Sequence, residues 1–147
     1  STKPYRILVK GRIKHFTSAF GEHVIGSEVN YAISKAVKKN NAKIIEFHVA
    51  PQVNPNSGLP FHEWFIEFDV MPVCLLEFAK DLDGFMCKQN SYYNDLIEGN
   101  VLRPLVISCV EKNGFKNYMK SIGKLGGQNK LPRLSNNRLI ADKLHLL

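Results

Sequence analysis

Two stretches of alternating character set the frame in which this chain must fold. From Lys43 to Ala50, Ile45, Phe47 and Val49 fall on one side of an extended backbone, and Ile44, Glu46 and His48 on the other. From Phe61 to Asp69, Trp64, Ile66 and Phe68 fall on one side, and Glu63 and Glu67 on the other. A period of two is the signature of a strand that buries one face. The stretch between them, Pro51 to Pro60, is rich in Pro, Asn and Gly and reads as a loop. The pair is therefore expected to form neighbouring strands. Their apolar face needs a cover, and Glu63 and Glu67 are expected on a solvated outer face.

Helical patterns supply that cover. Ser27 is a good N-cap, and after it Val29, Ala32, Ile33, Ala36 and Val37 recur at helical spacing, with Lys35, Lys38 and Lys39 opposite. Asn40-Asn41 is expected to end this helix. From Pro72, a natural first-turn residue, Leu75, Phe78, Ala79, Leu82, Phe85 and Met86 mark a long amphipathic helix. Ser91 is expected to cap a short helix through Ile97, and Phe115 to Ile122 continues the pattern. Ser135 is expected to cap a last helix carrying Leu139, Ile140, Lys143, Leu144 and Leu147. Tyr5–Lys10, His15–Phe20 and Leu105–Val110 read as further strands. The expectation is one α+β domain over residues 1–147, a small mostly antiparallel sheet with helices packed on it.

Composition excludes several classes. A chain of 147 residues with 44% hydrophobic and 22% charged residues can bury a core and is not disordered. No apolar run approaches the roughly 20 residues that span a bilayer. Ser1-Thr2-Lys3-Pro4 reads as a linker rather than a secretory signal. Cys74, Cys87 and Cys109 show no metal spacing and sit in apolar patterns, which suggests buried free thiols in a reducing cytoplasm. The histidines (His15, His23, His48, His62, His145) show no ligand spacing either, so no metal site is expected and each reads as structural or exposed.

The net charge of +7 is unevenly placed. Lys3, Arg6, Lys10, Arg12 and Lys14 have no acid among them, and from Lys112 to Lys143 the only acid is Asp142. Two basic segments at opposite ends of the sequence suit a polyanion, either nucleic acid or nucleotide phosphate. The second segment contains Gly123-Lys124-Leu125-Gly126-Gly127-Gln128-Asn129-Lys130-Leu131-Pro132-Arg133-Leu134. Its glycines free the backbone for close approach to a ligand, and Pro132 stiffens the exit. The competing bland reading is a solvated basic loop. It is not a Walker phosphate loop, since Gly-x-x-x-x-Gly-Lys-Ser/Thr is absent.

The two basic segments also carry a resemblance. Gly11, Arg12, Lys14, Gly21, Glu28 and Val29 stand in register with the hinge motif of adenylate-forming enzymes. Phe20-Gly21-Glu22, the strand pair around Glu46-Phe47-His48-Val49 and His62-Glu63-Trp64, and Gln128-Asn129-Lys130-Leu131-Pro132-Arg133 are closer to one branch. The chain resembles the C-terminal domain of the Gretchen Hagen (auxin-responsive promoter) family of acyl acid–amido synthetases, over essentially its whole length. The resemblance implies that ATP, as Mg-ATP, activates a carboxylic acid as an acyl-adenylate, and that an amine, usually an amino acid, then attacks to form an amide. It implies a lid domain swinging about a hinge near residues 11–15, with Arg12 and Lys14 at the pivot, and a catalytic loop near 123–134. It implies Lys130 as the adenylation lysine, with Lys124, Gln128 and Arg133 near the nucleotide phosphates. Lys124, in Gly-Lys-Leu, is the rival for the catalytic role. Lys14 departs from the Asp found in most of the superfamily. The partners implied are an N-terminal ATP- and acyl-binding domain, absent from this sequence, and the acid and amine substrates, with no membrane and no nucleic acid. The alternative readings are a basic α+β nucleic-acid-binding module and a ligand-sensing regulatory domain.

Overall fold

The computed structural model describes residues 16–124, 126 and 130–147. The expected strand Tyr5–Lys10, the hinge residues Arg12 and Lys14, and Gln128 lie outside the described residues. The described chain opens with a minimal ribbon, β1 (Phe16–Thr17) paired antiparallel with β2 (Val24–Ile25). Helix α1 (Gly26–Lys39) follows, then strands β3 (Lys43–Gln52) and β4 (Phe61–Val70), helices α2 (Leu75–Gln89) and α3 (Ser91–Glu98), strand β5 (Val106–Cys109) and helix α4 (Gly114–Ser121). A single 3-10 turn, Ala141–Lys143, lies near the end. The main sheet has the order β3-β4-β5, with β3 antiparallel and β5 parallel to β4. The expected α+β class holds, and the sheet is mixed because the α2–α3 crossover returns β5 in the direction of β4.

The apolar face is covered by helices. Phe47, Val49, Trp64 and Ile66 of the strands pack with Val29, Ala32, Ile33 and Ala36 of α1 and with Phe78, Leu82 and Met86 of α2. Phe47 and Trp64 stack at 5.5 Å. A break in alternation decides one face. The pairing of β3 with β4 shifts register between Ile44 and Glu46, so Ile44 joins the core and Ile45, expected inside, is about half exposed (52%). A bulge of this kind moves every residue on one side of it to the other face.

The opposite face is not solvated. Ala50 and Phe65 form a second core with Val110, Phe115, Leu131, Ala141 and Leu144. Glu63 and Glu67, expected in water, lie beneath this layer. Glu67 is buried and accepts from the backbone N–H groups of Asn113 (3.0 Å) and Phe115 (3.4 Å), at the start of α4. There its charge meets the unpaired donors of the helix N-terminus. Glu63 accepts from the Ser108 hydroxyl and pairs with Arg138. Gly114 is required at this point because a methyl group there would strike Val110.

The helix caps correct the expected boundaries. Helix α1 begins at Gly26, ahead of Ser27, because the Glu28 carboxylate reaches back to the Ile25 N–H at 3.0 Å. Helix α2 starts at Leu75, after Pro72. Helix α3 is capped by Asn90 rather than Ser91, the Asn90 Oδ1 accepting from the Tyr93 N–H at 2.8 Å. The last expected helix does not form. Ser135 Oγ accepts from the Asn137 N–H, and Asn137 Oδ1 from the Leu139 N–H, so side chains take the bonds a helix would need. The tail instead crosses beneath the sheet. Leu134 bridges to Val49 on the β3 edge, and Leu146 bridges to Val110 just beyond β5. Both edges are thereby partly covered, which removes exposed pairing surface.

Candidate functional site

The basic loop leaves α4 through a pinned exit and returns through another. Gly123 adopts φ +71°, a left-handed conformation that suits glycine at a helix end, and the Lys124 N–H donates to the Met119 carbonyl at 2.9 Å. On the return, Leu131 and Leu134 are both buried, Leu131 in the second core and Leu134 in the first. The segment thus crosses the β3 edge. Its backbone joins the sheet there: the Val49 N–H donates to the Arg133 carbonyl at 2.8 Å, and the Ser135 N–H donates to the Val49 carbonyl at 3.1 Å.

Side chains reinforce this root. The His48 Nδ1–H donates to the Pro132 carbonyl at 2.6 Å. The Arg133 guanidinium reaches the Glu46 carboxylate and the Asn30 amide oxygen, each at 3.0 Å, and lies 4.9 Å from the Phe47 ring centroid. Arg133 is therefore held against α1 and β3. Lys124 and Lys130 differ: both are exposed, and neither forms an ion pair among the described residues. The loop presents lysines to solvent from two fixed ends. Glu46, Asn30 and His48 escaped the sequence reading as loop supports. The one available signal was His48, a polar residue in a strand flanked by Phe47 and Val49.

The start of the described chain meets the stretch just after the basic loop. The Thr17 hydroxyl donates to the Ser135 carbonyl at 3.0 Å, and the Ser18 N–H donates to Asn136 Oδ1 at 2.6 Å. The residues just after the expected pivot are thus fastened to the residues just after the lysine loop. A buried polar network holds the same turn from below. Glu22 accepts from the Phe20 N–H at 2.9 Å and from His62 Nε2 at 2.8 Å. Asn90 Nδ2 donates to the Glu22 carbonyl at 2.8 Å and to Glu28 Oε1 at 3.2 Å.

Three further side chains have pKa values raised by burial. Burial, with Asp83 and Glu98 nearby, pushes the Cys87 thiol up to about 11, far from a reactive thiolate. Burial also raises Cys109. Cys74, expected inside, is exposed. Tyr93 is pushed well up by burial and by Asp83, whose carboxylate accepts its hydroxyl at 2.6 Å. Among the described residues no cluster of His, Cys, Asp or Glu could hold a metal ion. Among the described residues no helix is long and apolar enough to cross a membrane.

Burial lowers the pKa of His48 below its ordinary 6.5; the Pro132 bond opposes this, Arg138 adds to it and Glu46 opposes it. The sign follows by linkage. Below pH 6.5 the unfolded chain binds a proton at this ring that the folded chain resists. The stability due to neutral His48 is therefore complete above pH 6.5 and falls as pH drops from there through the lowered folded value. Denaturant titrations at a series of pH values are expected to show this slope in the native protein and a flatter one in His48→Asn. Equal slopes would remove His48 as the source.

Comparisons with known proteins agree with this architecture. The pattern of the GH3 family C-terminal domain matches residues 27–139. The fold is similar to that of GH3.15 acyl acid amido synthetase, with a TM-score of 0.73 at 16% identity, over 93% of this chain and 27% of that one. It is also similar to a structure described as AtGH3.15 acyl acid amido synthetase in complex with 2,4-DB, with a TM-score of 0.67 at 16% identity, over 92% of this chain and 27% of that one. Comparison with curated proteins gives no match. This chain spans 27% of the length of those solved structures. A family pattern running from the first turn of α1 to just short of the 3-10 turn, on the same helix and sheet layers, makes the chain a C-terminal domain of the GH3 family.

Proposed function

We propose that this domain is the mobile lid of an ATP-dependent ligase. The full-length protein adenylates a carboxylic acid and transfers the acyl group to an amine, an amino acid by preference, to give an amide. The observation that carries this reading is that Lys124 and Lys130, beside the two pinned ends of the loop, are both exposed and form no ion pair among the described residues. Such a loop offers ammonium groups to an anionic reaction centre without first breaking a salt bridge. As the carboxylate attacks, negative charge builds on the α-phosphate oxygens, and two anions must be held together. A placed cation offsets both costs in a water-poor cleft.

Lys130 is the residue proposed for that role, with Lys124 and Gln128 toward the phosphates of Mg-ATP. Arg133, drawn toward Glu46 and Asn30, supports the phosphate side by fixing the loop's return. Arg12 and Lys14 are proposed as the pivot, with the turn beyond it fastened by Thr17, Ser18 and Glu22. The partner is the protein's own large N-terminal domain, and the proposed compartment is the cytoplasm.

The test is acid-dependent ATP–pyrophosphate exchange by the full-length protein, followed by amide formation on adding amino acids. Neither is expected from the 147-residue chain alone. Turnover by that chain would place the whole reaction within it and overturn the lid assignment. Lys14→Pro in the full-length protein fixes φ at the pivot. It is expected to spare one half-reaction and block the other, and equal effects on both would argue against a hinge there.

A further inference from the structure

We propose that the apolar run over residues 70–76, at the far end of the sheet from the pivot, is the face by which the lid seats on the protein's own N-terminal domain in one of its two orientations. The inference rests on the lid reading given above and adds to it the surface that holds the lid in place.

Seven uncharged residues, Val70-Met71-Pro72-Val73-Cys74-Leu75-Leu76, lead from the end of β4 into α2, between Asp69 and Glu77. Val73 is fully exposed, Leu76 is 82% exposed, and Val70 and Met71 are close to half exposed. Cys74 is exposed beside them. The domain's own core makes little use of this surface. The buried stripe of α2 runs through Phe78, Leu82 and Met86, and Leu76 lies off it. Val73 stands one residue ahead of the α2 N-cap, where an apolar side chain often packs on the fourth helical residue. That residue is Phe78, which is completely buried while Val73 is open, so the contact is not made. Single exposed apolar side chains are ordinary, but a contiguous group of them marks an interaction surface. Polar groups edge this one. Lys39 and Asn40, at the end of α1, share a cleft with Val73 and Cys74 and bind the Asp81 carboxylate at 3.0 and 3.1 Å. An apolar centre with a polar rim is the build of a protein interface.

The place of the patch in the fold names its occupant. The chain is a C-terminal domain of its family and spans 27% of the solved relatives, so most of such a protein lies outside it. The pivot is proposed at residues 11–15, and the turn beyond it is held at the start of β4, where Glu22 accepts from His62. From there β4 continues to Val70, about 30 Å of extended chain away at the opposite end of the sheet. Rotation about the pivot moves that end farthest. Contact made there holds the angle of the lid most firmly, and a turn of the lid withdraws it completely.

Cys74 reports on the patch in the full-length protein. Its labelling by N-ethylmaleimide is followed by mass spectrometry in two states, using an acid that supports pyrophosphate exchange. One state holds the acid with α,β-methylene-ATP, which blocks adenylate formation. The other holds the acid, ATP and pyrophosphatase with amine withheld, so that adenylate accumulates. Cys74 is expected to be protected in one state and open in the other. Cys87 and Cys109, whose thiols are raised by burial, should label slowly in both. Val73→Asp combined with Leu76→Glu puts acids at the start of α2, where the helix dipole favours them, so the fold is kept. This double variant is expected to abolish the difference in labelling. It should slow the half-reaction in which Cys74 was protected by about tenfold or more, as loss of a central docking contact does, and leave the other unchanged. Equal labelling of Cys74 in the two states, or equal loss in both half-reactions, overturns the proposal. So does protection that grows with protein concentration, which would assign the face to a second copy of the chain. If the full-length protein shows no pyrophosphate exchange, the lid reading itself falls, whereas an active protein with Cys74 equally open in both states rejects only the seat.

Discussion

Lys130→Ala in the full-length protein is expected to slow adenylation by about 10²–10³-fold, the usual cost of removing one fixed charge partner from a transition state. Melting should hardly move. Lys130 is exposed and forms no ion pair among the described residues, and surface changes of this kind stay within about 0.5 kcal/mol. Amide formation from supplied acyl-adenylate should suffer far less, because in the proposed mechanism the lid has by then carried the lysine away from the reacting centre. Lys124→Ala removes an equal charge from the opposite end of the loop and is expected to give the smaller loss. Pre-steady-state measurement of adenylate formation decides between them. If Lys124→Ala is the crippled variant, the catalytic role belongs to Lys124. If neither is slowed, the loop is a solvated basic surface.

The second large effect is on stability. His62→Leu is expected to cost about 1–3 kcal/mol, the usual penalty for leaving a buried hydrogen-bonding group without its partner. His62 and Glu22 are 1% and 0% exposed, and their 2.8 Å contact is sealed by the Tyr93 ring 5.1 Å away. Leucine would keep the volume and leave the carboxylate with the Phe20 N–H as its remaining side-chain bond among the described residues. Glu22→Gln added to His62→Leu should recover part of the loss, because a neutral amide costs less to bury without its partner than a carboxyl group does. A denaturant series on the two single variants and the double variant measures the coupling. Additive losses would mean that the pair contributes packing and no charge compensation.

The period-two pattern made β3 and β4 legible, and the apolar positions of α1 and α2 named most of the core. The failures share one cause: they depend on what arrives from elsewhere in the chain. Glu63 and Glu67 alternate as outward residues do, yet α4 and the C-terminal tail cover them. Phe65, an aromatic on that same face, was the available sign of a two-sided sheet. The Ile44–Glu46 bulge reversed Ile45 through pairing with β4, which no local pattern encodes. The tail read as a helix because Leu139, Ile140 and Leu144 are helically spaced, but Ser135 and Asn137 spend their side chains on turns. At the site, motif and composition singled out the loop and its lysines. The grip of Glu46, Asn30 and His48 on Pro132 and Arg133 arises only once residues 131–135 dock on β3, and spacing along the chain carries no trace of it.

The stitches from Thr17 to Ser135 and from Ser18 to Asn136 join residues 118 apart in sequence. Contacts of that span cannot form early, because closing so long a loop costs entropy before anything is gained. On the ribosome, where a chain emerges from its N-terminus, the β3–β4 hairpin and its helices can assemble first. The β3 edge must then wait for Leu134, and the first described strand for Ser135. Until residues 131–144 are out, the edge of β3 and Phe65 stand uncovered. This domain is therefore most exposed to misassembly in the interval before residues 131–144 emerge, and a truncation that spares every core helix but removes the tail should yield aggregate rather than a smaller folded domain.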